Sequence, residues 1–194
     1  MRRAQAERKT RETEIQVQFN LDGSGKADIN TGIGFFDHML ELLCMHGAFD
    51  IKVRAKGDTG VDFHHLVEDT GIVLGQAVSK ALGDKGGIKR YFTVFTPMDE
   101  SLSMVVLDIS GRPYLYYDVE FTGERVGQFD LELIEEFLRA FSVHGALTLH
   151  VSLLHGKNNH HIAESIFKGL GRALDGAATE ENRIEGVLST KGVL

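Results

Sequence analysis

The pattern His-His-x-x-Glu occurs twice in this 194-residue chain, as HHLVE at residues 64–68 and as HHIAE at residues 160–164. Imidazole nitrogens and carboxylate oxygens are common ligands of borderline divalent metals. On a helix, residues i and i+4 project in nearly the same direction, whereas adjacent residues diverge by about 100°. His64 with Glu68, and His160 with Glu164, are therefore spaced to chelate one ion each, while His65 and His161 aim elsewhere. A single such motif is equally well explained by histidines that cap a helix or face solvent. Two copies half a chain apart shift the balance towards metal.

The repetition extends well beyond the motif. Residues 37–55 lie over residues 135–153 at a constant offset of 98, which brings His46-Gly47-Ala48 onto His144-Gly145-Ala146. After a two-residue deletion, HHLVEDTGIVLGQA lies over HHIAESIFKGLGRA. Upstream of the two motifs, His38 in GFFDHML and Glu136 in LIEEFLRAF fall at matching places and complete the candidate ligand set. Histidine and carboxylate without thiolate suit manganese, iron or zinc, and the ligand chemistry does not choose among them. His46 and His144 each precede a glycine at a predicted helix end, where a cationic ring suits the negative dipole end and glycine a left-handed cap. His150, in a strand pattern, and His155, in a loop, carry no supporting spacing.

These residues need elements to hold them. EIQVQFN (14–20) and KADIN (26–30) read as strands around the LDGSG turn, whose Asp-Gly pair favours a tight hairpin. GIKRYFTVFTP, SLSMVVLDIS and PYLYYDVEF read as a meander ending near residue 121. In each half an amphipathic helix follows (about 33–46 and 130–144), then a strand (49–55 and 147–154), then a second helix (64–82 and 160–174). The expected fold is α+β, two homologous halves from an internal duplication, each a β-sheet covered on one face by two helices. The first repeat spans 1–86 and the second 87–176, and 177–194 form a flexible tail.

On the first motif helix, Leu66, Val67, Val73, Leu74, Ala77, Val78 and Ala81 cluster opposite His64, His65 and Glu68, and the second copy behaves alike. The ligands should therefore face away from their own core. An ion held there by one chain would have few protein ligands, which predicts metal sites at the interfaces of a homo-oligomer.

Composition excludes several classes of function. With 28 acidic against 21 basic residues the formal charge is −7, so no broad cationic field exists for nucleic acid or for an anionic membrane. Apolar runs fall short of the ~20 residues that a membrane helix requires. Cys44 is alone, which fits a reducing compartment, and no apolar run follows the charged N-terminus, so the expected location is cytoplasmic.

Beyond this, TGIGFFDHMLELLCMHGAFD, DFHHLVED, LDISGRPYLYYD, GKNNHHIAESIFKGLGRAL and STKGVL resemble imidazoleglycerol-phosphate dehydratase from about residue 8 to the C-terminus. The resemblance implies dehydration of imidazole glycerol phosphate to imidazole acetol phosphate in histidine biosynthesis, through a metal-bound imidazolate and a diazafulvene. It implies two Mn2+ per active site and an assembly of 24 subunits. It assigns His38, His64, His65, Glu68, His160, His161 and Glu164 as metal ligands, with Glu136 standing where many relatives have histidine. One apportionment gives His64, Glu68 and His161 to one ion and His65, His160 and Glu164 to the other, with His38 and Glu136 completing the shells. The substrate-binding positions fall on Glu12, Arg90, Arg112, Lys168, Ser189, Thr190 and Lys191, the last three in a tail that would close over the phosphate. Glu12 is the candidate for moving protons. Two other readings fit the ligand pattern, namely a non-catalytic metal-assembled shell and a dinuclear phosphoester hydrolase.

Overall fold

A computed structural model of the chain, described for residues 2–194, contains two four-stranded sheets, a short two-stranded ribbon and four helices. The first half runs β1 (Arg3–Lys9), β2 (Thr13–Asn20), β3 (Ala27–Asn30), α1 (Gly34–His46), β4 (Asp50–Gly57) and α2 (His64–Leu82). The second runs β5 (Tyr91–Met98), β6 (Ser101–Asp108), β7 (Tyr114–Asp118), the ribbon β8 (Arg125–Val126) and β9 (Phe129–Asp130), α3 (Glu132–Gly145), β10 (Thr148–His155) and α4 (Asn159–Ala178). The two halves share one topology, with sheet orders β1-β2-β4-β3 and β5-β6-β10-β7. Even the register repeats: Val17 pairs with Val53, and Val105 with Val151, all four side chains buried.

Two expectations about strand pairing fail, and for the same reason in each half. β2 and β3 do not form a hairpin, and β6 and β7 do not continue a meander. Instead the strand after the first helix inserts between them, antiparallel to the earlier strand and parallel to the later one. The LDGSG turn is pressed onto the start of that inserted strand. A Cβ on Gly23 would lie 2.2 Å from the Asp50 amide nitrogen. The Asp50 carboxylate also accepts hydrogen bonds from Ser24 N at 2.8 Å, Asn20 Nδ2 at 3.1 Å and Lys26 N at 3.2 Å. Strand β1 was not expected, because only Ala4 and Ala6 mark an apolar face in RAQAERK, yet it pairs with β2 along its whole length.

The helices lie inside and the sheets outside. α2 packs on β1 and β2 with one face and on α3 with the other, while α4 packs on β5 and β6 and on α1. Each half thus embraces the other by exchanging helix partners. Glycine permits the close approach: a Cβ on Gly75 would meet Phe141 O at 2.6 Å, and one on Gly171 would meet Leu43 O at 2.4 Å. The helix ends correct a further expectation. The left-handed residues are Ala48 (φ 54°) and Ala146 (φ 53°), not the glycines before them. Gly47 is required for space, since a Cβ there would lie 2.1 Å from the Phe49 ring. Burial, and then the nearby charges of Lys168 and Arg172, lower the pKa of His46, which disfavours the cationic cap expected there.

The start of the tail makes backbone contacts with the loop before β5. α4 continues to Ala178, and beyond it Glu181 N donates to Gly87 O (2.8 Å) while Gly87 N donates to Gly186 O (2.7 Å). No helix among the described residues is long and apolar enough to cross a membrane.

Two predictions follow from this packing. Gly171→Ala should force α1 and α4 apart at a cost of about 1–3 kcal/mol, seen as a melting temperature lower by several degrees. The Ser24 amide, the Asn20 side chain and the Lys26 amide hold the folded Asp50 at about 2, against an ordinary value of 3.8. A depressed carboxylate stabilises the fold fully above its unfolded pKa and progressively less as pH falls towards the folded one. In denaturation at stepped pH, the advantage of wild type over Asp50→Asn should hold near neutrality, decline between those two values and be lost as pH falls through the lower one.

Candidate metal centre

Because α1 crosses onto α4, the first half supplies a ligand to the motif of the second. His38 Nε2 lies 2.9 Å from Glu164 Oε1, and His160 Nε2 lies 3.2 Å from the same oxygen. Each of these three residues offers one ligand atom within 4.8 Å of the other two, the arrangement needed to converge on a single cation. Glu164 departs from the expectation that all ligands face outward, for it is buried, whereas the two histidines are half-buried. A buried carboxylate without partners would be costly. Lys168, one helical turn on, donates to Glu164 Oε2 at 2.8 Å. Burial raises the carboxylate's pKa, but the bonds from Lys168 and His38 outweigh it and hold the group at about 2.

The first motif is more open. His64 Nε2 and Glu68 Oε2 stand 3.9 Å apart on one helix face, both side chains more than two-fifths exposed. Glu136, the repeat mate of His38, is half-buried on α3, the helix packed against α2. Among the described residues it joins no trio of converging ligand atoms.

The second histidine of each motif carries a carboxylate on Nδ1. Asp58 Oδ2 lies 3.0 Å from His65 Nδ1, and Glu100 Oε2 lies 2.7 Å from His161 Nδ1. These hydrogen bonds raise the pKa of both rings, and the bond from His161 lowers that of Glu100. Glu12 stands near the first pair, its carboxylate 3.9 Å from His65 Nδ1. Neither Asp58 nor Glu100 was expected from sequence. A signal existed for Glu100, which sits just before β6 as Glu12 sits just before β2.

The residues expected to bind phosphate divide into two groups. Lys168 belongs to the Glu164 cluster. Arg90 instead pairs with Asp108 at 2.8 and 3.1 Å and donates to Leu188 O at 2.7 Å, which brings the Ser189, Thr190 and Lys191 segment alongside. Arg112 is exposed beside Ser110, two residues beyond Asp108. Asp108 ends β6, while Glu100 immediately precedes it, so this basic group and His161 lie at opposite ends of one strand, roughly 25 Å apart at strand rise.

The chain's likeness to known proteins is close and runs its full length. A family model described as imidazoleglycerol-phosphate dehydratase matches residues 31–174. This chain belongs to the imidazoleglycerol-phosphate dehydratase family. The imidazoleglycerol-phosphate dehydratase of Thermoanaerobacter pseudethanolicus is 61% identical over 194 residues, covering all of both chains. That of Acetivibrio thermocellus is 56% identical over 193 residues, 100% of this chain and 99% of the relative. Among solved structures of the family, the enzyme from Staphylococcus aureus superposes with a TM-score of 0.84 at 42% identity, covering 92% of this chain and 99% of the other. The Pyrococcus furiosus protein gives the same TM-score at 37% identity, covering 97% and 99%. The α+β architecture of two duplicated halves is thus the family fold.

Proposed function

We propose that this chain dehydrates imidazole glycerol phosphate to imidazole acetol phosphate in histidine biosynthesis, as a manganese-dependent hydro-lyase with two Mn2+ per active site. The observation that carries the reading is the convergence of His38, His160 and Glu164, from two halves of a family member, within 4.8 Å. Two imidazoles and an ionised carboxylate make a mixed nitrogen and oxygen donor set that fits manganese. His64 with Glu68 would hold the second ion, and His65, His161 and Glu136 complete the shells. Once bound, the ions would supply Lewis acidity to the substrate's imidazole nitrogens.

The protein's own residues do the rest. Glu12 is exposed and stands beside His65, which supports giving its carboxylate the task of carrying a proton between the reacting carbon and the departing hydroxyl. Water leaves, and the enol that remains becomes the ketone. Arg90, Arg112, Lys168, Ser189, Thr190 and Lys191 offer the cationic and hydroxyl donors that a phosphate monoester needs. Lys168 stands in the Glu164 cluster, but a single chain holds Arg90, Arg112 and the tail too far from its own motif histidine for one small substrate to touch both. That separation supports a site built between copies of the chain, within the 24-subunit assembly implied by the family.

Chelator treatment followed by graded return of Mn2+ should abolish and then restore ketone formation, together with a change in particle mass. Release of inorganic phosphate in place of ketone would favour a phosphoester hydrolase, and a particle that reassembles without turnover would favour an inert shell. Glu12→Gln should lower kcat by about 10²–10⁴-fold with the assembly intact, the range for loss of a general acid or base. Turnover within a few-fold of wild type would remove Glu12 from the mechanism.

A further inference from the structure

Glu12 and Glu100 occupy one position of the duplicated fold. The backbone bonds Leu21 N to Arg2 O (2.9 Å) and Ile109 N to Arg90 O (2.8 Å) repeat at a spacing of 88 residues, as do Val17 and Val105 in the strand register. The same spacing lays Glu12 on Glu100. The two glutamates nevertheless have different surroundings.

Glu100 is fully engaged. Its Oε2 lies 2.7 Å from His161 Nδ1, and its Oε1 accepts from Asn158 N at 2.7 Å, Lys157 N at 3.1 Å and Ser101 Oγ at 3.1 Å. It is a fixed post that ties the β5–β6 turn to the start of α4 and holds the ring. In the first half the corresponding task falls to Asp58, 3.0 Å from His65 Nδ1, at the place where the second half has Gly156. Glu12 is left beyond hydrogen-bond distance of that ring, at 3.9 Å, with its side chain 56% exposed.

We propose that Glu100 and Asp58 are positioning residues that accept the Nδ1–H of His161 and His65, so that each ring presents the lone pair of Nε2 to a metal. A neutral imidazole has one N–H and one lone pair, and a carboxylate on one nitrogen fixes which is which. For His161 the other nitrogen is 3.9 Å from Asp99 Oδ2, too far for a hydrogen bond, and remains available as a donor. By taking the orienting task, Asp58 releases Glu12 for proton transfer. One ancestral turn glutamate thus serves two purposes in the two halves. The inference rests on the metal reading above and adds to it a division of labour among carboxylates.

The test titrates Mn2+ alone into the chelator-treated, full-length protein and reads free Mn2+ by electron paramagnetic resonance, alongside melting temperature and kcat. Glu100→Gln and Asp58→Asn should each weaken Mn2+ binding by ~10–100-fold, while Glu12→Gln stays within about twofold of wild type. At saturating Mn2+ the two orienting variants should recover most of kcat, whereas Glu12→Gln should not, and Glu100→Asp should regain part of the lost affinity. Should Glu100→Gln fail to fold, Asp58→Asn carries the test, since the Asp58 carboxylate anchors no turn. Mn2+ affinity in folded Glu100→Gln and Asp58→Asn equal to wild type overturns the positioning role alone. Wild type that takes up no Mn2+ overturns the metal reading and this inference with it.

Discussion

The structure turns on the burial of one carboxylate. Glu164 is removed from water on the inner side of α4, where an unpaired charge would be expensive. It is stable there because Lys168 comes from its own helix and His38 from a helix of the other half. The second partner exists only because α1 lies against α4, and α1 lies there only because Gly171 has no side chain to hold it off. Fold and site are therefore coupled: the close approach that packs the core also brings the ligand atoms together. A cation arriving among these groups would find the carboxylate already ionised.

Duplication supplied the frame, and divergence made its two ends different. Gly75 and Gly171 do the same work, as do Val17 and Val105, which is expected where packing alone is at stake. Around the motif histidines the halves have drifted. His38 has Glu136 as its mate, Glu12 has Glu100, and Asp58 has Gly156. The first cluster is open and the second partly closed. The two ends therefore offer different surroundings: a buried, lysine-paired carboxylate in one and an exposed one in the other.

How far the sequence reveals this depends on which force sets each feature. Helix α2 was legible at both ends, because apolar periodicity over residues 64–82 is strong and Gly83 follows it. That His160 and Glu164 share one face was legible because spacing on a helix fixes direction. Strand order was not, since adjacency in sequence favours hairpins and only the long-range fit of β4 and β10 into the sheets overrules it. β1 was invisible because an edge strand with one face in water needs few apolar residues. Glu100 was hidden for another reason. The β8–β9 ribbon lengthens the second half between β7 and α3, so the spacing of 98 that aligns α1 and β4 with α3 and β10 misplaces the strands before them, for which 88 is correct.

The same ribbon also flanks the motif of the second half. It packs Val126, Gly127, Gln128 and Phe129 around an open pocket of about 410 Å³ that also touches Phe35, Phe63 and His160, so mostly apolar groups line one flank of the motif. Arg112 lies exposed beside Ser110 at the far end of β6, where Arg90 is held by Asp108 and the tail by the backbone of Gly87. Neither group can swing across without breaking these bonds. A phosphate bound at one end and an imidazole ring bound at the other cannot belong to the same small molecule. If both groups act on one substrate, the geometry requires that they come from different copies, and the exposed side of His64, His65 and Glu68 is where a neighbour's residues would meet them.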